Sequence, residues 1–156
     1  MYVMDTSNLL DPLDKEAARK FIAERLGFQT ISIPSLYVGR FGFGDYEADL
    51  CYITPDNYLN EVDIITSLSE LEKEIEKKRP HIRQYYFAFH REFYKAANLD
   101  IYKLLKKVQS EVGIMILNPM TMNLVVQKAK ERDDIPPLTP IEMKSLIHLA
   151  ASKWWC

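Results

Sequence analysis

Apolar and polar positions alternate over residues 46–66, and the alternation is interrupted once, at the turn-rich Thr54-Pro55-Asp56-Asn57. Period two on both sides of a turn predicts a β-hairpin. Alternation puts Glu47, Asp49, Cys51 and Ile53 on one face of its first strand, and Leu59, Glu61, Asp63 and Ile65 on one face of its second. Ala48, Leu50, Tyr52, Val62 and Ile64 make the opposite face, whose composition suits a buried core. Four carboxylates are therefore expected on one side of an otherwise apolar hairpin.

The flanking patterns predict the other elements. Residues 1–10 show no clear period and read as loosely held. A helix follows, with Asp11 as cap, Pro12 at its first position, Asp14 in its first turn, a stripe of Leu13, Ala17, Phe21 and Ile22, and Gly27 as its stop. Residues 29–36 read as a short strand. Ser67-Leu68-Ser69-Glu70 has the capping-box pattern and starts a helix whose Leu68, Leu71 and Ile75 face the sheet. Residues 84–89 form an aromatic-rich strand ending near His90, and residues 100–108 a helix with Ile101, Leu104, Leu105 and Val108 as its apolar face. The continuous apolar run at 113–117 reads as a buried strand, and 122–128 as a further strand. Thr139-Pro140-Ile141-Glu142 repeats the capping logic and opens a helix to about Lys153.

Composition narrows the possibilities. A chain of 156 residues, 47% hydrophobic and 27% charged, suits one globular domain spanning 1–156. A net charge of −2 excludes a uniformly basic nucleic-acid binder and leaves room for a local basic patch. The two cysteines, Cys51 and Cys156, have no metal-type spacing and point to a reducing, cytoplasmic setting. No signal peptide and no bilayer-length apolar run are evident, so no membrane association is expected.

Three features carry candidate chemistry. Clustered carboxylates suit a hard divalent cation, Mg²⁺ or Mn²⁺, which can polarise a phosphodiester and activate water. They equally suit the wet face of an antiparallel sheet. The loop at 39–45 holds three glycines, Arg40 and two phenylalanines, a composition able to stack bases and hold phosphate, though such loops also occur without ligands. Lys73, Lys77, Lys78, Arg79, His81 and Arg83 form a basic run that reads either as a solvated helix end or as a surface for a phosphodiester backbone.

In this order the elements and several short matches resemble the PD-(D/E)XK nuclease superfamily, and within it the MmcB-related group of DNA repair proteins. The matching residues are Ile33-Pro34, Glu47-Ala48-Asp49-Leu50, Glu61-Val62-Asp63-Ile64, Ser67-Leu68-Ser69-Glu70-Leu71, Lys77-Lys78, Tyr85-Tyr86-Phe87-Ala88, Gly113-Ile114-Met115-Ile116, Lys128-Ala129-Lys130 and Pro136-Pro137-Leu138-Thr139. The resemblance implies an α/β (α+β) restriction-endonuclease-like core, a mixed central sheet flanked by helices. It implies a metal held by an aspartate on one strand, Asp49, and an acid on the next, Asp63; Glu61, two residues before Asp63 on the same face, is placed to add a ligand. The family pattern has a lysine two residues after the second acid, to orient water and stabilise developing charge. This chain has Ile65 there, and Lys73 on the following helix is the candidate substitute.

Two readings follow from the resemblance. One is a metal-dependent DNA nuclease acting in repair or phage DNA processing, with Arg40, Lys77, Lys78 and Arg79 gripping DNA. The other is a catalytically silent relative that binds nucleic acid or a host protein. A homodimer is compatible with either.

Overall fold

The computed structural model describes residues 14–27, 30–37 and 46–155. Among them the elements are α1 (Lys15–Leu26), β1 (Ile31–Tyr37), β2 (Glu47–Ile53), β3 (Leu59–Ile65), α2 (Leu68–Glu76), β4 (Tyr85–His90), α3 (Arg91–Leu105), β5 (Gly113–Leu117), β6 (Val125–Gln127) and α4 (Pro140–Trp155). The strands form one sheet in sequence order. β1, β2 and β3 make an antiparallel meander, β4 and β5 run parallel to β3, and β6 closes antiparallel. The parallel steps need crossovers, which α2 and α3 supply. The result is a mixed α+β fold, a six-stranded mixed sheet flanked by four helices.

Both faces of this sheet are covered. On one, Leu50, Tyr52, Val62, Ile64, Tyr86, Ala88 and Met115 pack with Ala18, Phe21 and Ile22 of α1. On the other, Cys51, Ile53, Leu59, Ile65, Phe87 and Phe89 pack with Leu71 and Ile75 of α2, Ile101 and Leu105 of α3, and Leu146 and Ala150 of α4. The hairpin's second strand is accordingly buried at every position. A wet acidic face, one of the two sequence expectations, is not what β3 has: it lies inside the sheet, with the crossover helices α2 and α3 over one face and α1 over the other.

Several boundaries differ from the pattern reading, each for a local reason. Asp14 is the cap of α1, its Oδ1 accepting from Ala17 N at 3.0 Å; Asp11 and Pro12, the expected start, lie outside the described residues, as do residues 1–10 and the 39–45 loop with Arg40. Gly27, at φ 83°, ends the helix as expected. α3 begins at Arg91, well before residue 100, because His90 Nδ1 accepts from Glu92 N at 3.2 Å and caps it. A kink at Ala97 separates a first half that only Phe93, Tyr94 and Ala97 tie, half-buried, to the core from the half bearing buried Ile101 and Leu105, the part that showed a stripe. β6 has three residues of the seven expected. Thr139 and Glu142 form the complete reciprocal box, each backbone N–H donating to the other's side chain, at 2.9 and 3.2 Å. No helix among the described residues is long and apolar enough to cross a membrane.

Candidate functional site

The hairpin turn forms where expected, with Asn57 at φ 68° and Thr54 N donating to the Tyr58 carbonyl at 2.9 Å. The strands above it do not keep simple alternation. Ser35 of β1 takes φ 50°, and the β1–β2 register passes from Pro34–Leu50 to Leu36–Ala48 over Ser35 and Asp49. The β2–β3 ladder likewise stops at Leu50–Val62. Asp49 thus sits at an irregular point in both ladders, and its Oδ2 accepts the Ile64 N–H at 2.9 Å. Ala48 and Leu50, expected to share a face, join opposite cores as a consequence.

The four carboxylates therefore part company. Glu47 is exposed. Asp49 meets α1, with Lys15 Nζ and Arg19 Nη2 each 3.6 Å from its oxygens. Lys15 also pairs with Glu70, whose other oxygen accepts from Thr66 Oγ1 at 2.7 Å. Ser67 still caps α2, accepting from Glu70 N at 3.2 Å, but the Glu70 carboxylate serves Lys15 and Thr66. Glu61 and Asp63 point to the other core and are 0% and 1% exposed.

Those two acids enclose Arg79. Its Nε donates to Glu61 Oε2 at 2.5 Å, and its Nη2 to Asp63 Oδ2 and Glu74 Oε2, each at 3.0 Å. Nη1 donates to the Glu74 and Lys77 carbonyls at 3.1 and 3.3 Å. The guanidinium lies 4.6 Å from the Tyr85 ring centre and 5.6 Å from that of Phe87. Tyr46 donates its hydroxyl to the other Glu61 oxygen at 2.6 Å. Only arginine offers a planar fork that can serve several carboxylates at once. The loop carrying it is pinned by Arg132, which donates to the Arg79 and Ile82 carbonyls.

This corrects the place expected for Arg79 on a basic surface: it is 4% exposed and committed to the acids. Lys73, the candidate substitute for the missing lysine, is exposed on α2 two positions from the buried Leu71 and from the buried Ile75, so it faces away from them. Lys77 pairs with Glu74 at 2.6 Å, and Lys78 is exposed. Ile65 is 1% exposed and packed in the core, so the position is filled by packing as well as lacking a charge. Pattern reading missed Lys15, Glu70, Glu74 and Tyr46. A signal for Arg79 did exist: two buried carboxylates demand a cation, and the basic run that follows α2 supplies an arginine.

The electrostatics follow from burial. The Asp63 carboxyl is held well above the ordinary carboxylate range, first by burial, then by the neighbouring Glu61 charge and a hydrogen bond to Glu61, while Arg79 pulls the other way. Glu74 is raised too, by burial and then by Asp63. Burial opposes the Arg79 charge, yet Asp63 and Glu61 outweigh it and raise its pKa further. The Cys51 thiol, beside Glu61 in the register, is pushed up by burial and by both acids.

An acid that binds its proton more tightly when folded makes the native state the better proton binder. Its stabilising contribution is full below the unfolded Asp value of about 3.9 and is lost as pH rises toward the raised folded value. Unfolding by urea is accordingly expected to show an Asp63-dependent loss of stability with rising pH above about 4. Asp63→Asn should flatten that slope; an unchanged slope would mean that Asp63 is ionised at neutral pH.

As it stands the donor set does not fit a divalent cation. Glu61 and Asp63 already hold a guanidinium, and Asp49 is turned to a backbone N–H and the cations of α1. A metal entering there would have to displace Arg79 into the core without its acceptors, at several kcal/mol.

No family model and no curated protein matches this chain. A solved structure of a protein of unknown function from Silicibacter pomeroyi is similar to it, with 20% identity and a TM-score of 0.55, over 90% of this chain and 82% of that one. The likeness concerns the fold alone.

Proposed function

We propose that this protein is a PD-(D/E)XK-like module that binds nucleic acid and does not cut it. Asp49 and Asp63 lie on neighbouring strands of a helix-flanked mixed sheet, the placement that the resemblance implies. The observation that carries the reading is the guanidinium of Arg79 between Glu61 and Asp63. An arginine neutralises these acids without generating a metal-bound hydroxide. The buried Ile65 removes the second element of charge stabilisation, a loss worth on the order of 10²–10³ in rate where such a group acts.

Binding is supported by basic residues left at the surface. Lys77, Lys78 and Arg132 line a cleft of about 320 Å³ with Pro80, Tyr85 and Glu111. A second basic cleft lies against α1. Contacts of this kind to phosphates bring affinity that falls steeply with salt.

The test is incubation of the purified protein with duplex and single-stranded DNA in Mg²⁺ or Mn²⁺. Retention of DNA that weakens with salt, without new fragments, is expected. Millimolar Mg²⁺ or Mn²⁺ should leave the melting temperature unchanged, since a ligand that does not bind the native state adds nothing to its stability. Cleavage that disappears in Asp49→Asn would restore the nuclease reading, and failure to retain either DNA would end the nucleic-acid one.

A further inference from the structure

The cleft against α1 is built from three separate parts of the chain. Arg19 and Lys20 come from α1, Pro34 and Ser35 from the irregular point of β1, and Lys153 and Trp154 from the end of α4, with Glu16 at the rim. Its volume is about 360 Å³, within the range of small-ligand sites. Three cations thus face one carboxylate. Glu16 and Lys20, 3.6 Å apart, are 76% and 61% exposed, so their pairing is weak and solvent-screened.

Arg19 is the observation that asks for a ligand. Its side chain is 20% exposed where it lines the cleft, its enclosed Nε is hydrogen-bonded to nothing among the described residues, and its ion pair among them, from Nη2 to Asp49, is loose at 3.6 Å. A buried donor is normally satisfied, and a guanidinium with its N–H groups unused is a fork without its anion. The walls around it are fixed. Trp154 Nε1 donates to the Ser32 carbonyl at 2.7 Å, which sets the indole, and Lys153 donates to the Ser35 carbonyl.

We propose that this cleft holds one phosphate of a single nucleic-acid strand, bound by Arg19 and Lys20, with the adjoining base against Trp154. The proposal rests on the nucleic-acid reading above and names the site within it. A phosphate oxygen supplies a close acceptor for the accessible end of the Arg19 guanidinium, whose side chain is 20% exposed, and the part of the Trp154 indole that lines the cleft, the rest being packed on the core, offers a base an apolar surface. A single strand is favoured because only an unpaired base can turn onto that ring.

The test uses the full chain carrying Trp155→Phe, so that Trp154 is the only indole, titrated with a short single-stranded oligodeoxynucleotide. Quenching of Trp154 is expected, with inorganic phosphate competing weakly and a mononucleotide competing better. Lys20→Glu should weaken binding and reduce the slope of log K against log salt by about 0.7 for the contact removed. Glu16→Gln should strengthen it, and Arg19→Lys, which keeps the charge but not the fork, should weaken it. Lys20 and Glu16 are exposed, so misfolding does not explain the effects of changing them.

Oligonucleotide binding that none of these substitutions changes, but that Lys78→Glu weakens, would overturn the cleft proposal while leaving the nucleic-acid reading in place. Competition by inorganic phosphate with no advantage for the mononucleotide would remove the base from the site and overturn the proposal as stated. No binding of the oligonucleotide by the unsubstituted chain would end both.

Discussion

Arg79→Met is expected to lower the unfolding free energy by about 3–5 kcal/mol, a large share of the roughly 5–15 kcal/mol of an ordinary domain. Methionine fills a similar elongated volume and can rest on the same Tyr85 and Phe87 rings, so packing loss is small. What is lost is the cation. Glu61 and Asp63, 0% and 1% exposed, would be left to face each other with Glu74 nearby and only Tyr46 and a shared proton to satisfy them. Removing one member of a buried ionic group leaves uncompensated charge, whereas removing all members can be nearly neutral.

The decisive comparison is therefore between Arg79→Met alone and the same change with Glu61→Gln and Asp63→Asn. Urea unfolding should show a severe loss in the first and substantial recovery in the second. Equal losses in both would mean that Arg79 acts through packing and not through the acids. Because the remaining acids would have to gain protons, the single variant should also be more stable at pH 5 than at pH 7.5, a steeper dependence than in the unsubstituted chain.

Gly113→Ala is expected to cost about 3 kcal/mol, the upper part of the range for overpacking. Gly113 opens β5 directly opposite Tyr86 of β4. A Cβ there would enter the Tyr86 ring and come within 2.7 Å of the Ala129 backbone nitrogen. The requirement is for space, because the ring lies across the glycine and a backbone segment closes the other side. Tyr86 is 5% exposed and belongs to the core under α1, so it has little freedom to turn away. A double-mutant cycle with Tyr86→Ala separates the causes. The alanine at 113 should be markedly better tolerated once the ring is gone, retaining only the penalty from Ala129. An unchanged penalty would place the whole effect on the backbone approach.

The same contrast between local and distant causes runs through the candidate site. The hairpin, its turn, the capping at Ser67 and the box at Thr139 and Glu142 were legible because each depends on residues within a few positions of one another. The apolar run at 113–117 was legible as a buried strand for the same reason. The first half of α3 was not, since its cap is a histidine and its stripe is interrupted by the kink at Ala97. Asp49 left the face that alternation assigned it at the point where the β1–β2 ladder, its register unchanged, skips the pair it would make with Ser35, which takes φ 50°.

By itself the sequence determined that the chain would place acids at 49, 61 and 63 on adjacent strands among apolar neighbours, and that position 65 could not carry the charge of a lysine. Periodicity and side-chain chemistry are enough for that. Only the tertiary structure decided which cations those acids meet. Arg79 reaches Glu61 and Asp63 across 18 and 16 residues, and Arg19 and Lys15 reach Asp49 from a different helix. The physical reason is that burial on both faces of the sheet makes unpaired carboxylates too costly, so folding must bring a counter-charge from wherever the chain passes, and spacing along the sequence holds no record of that meeting.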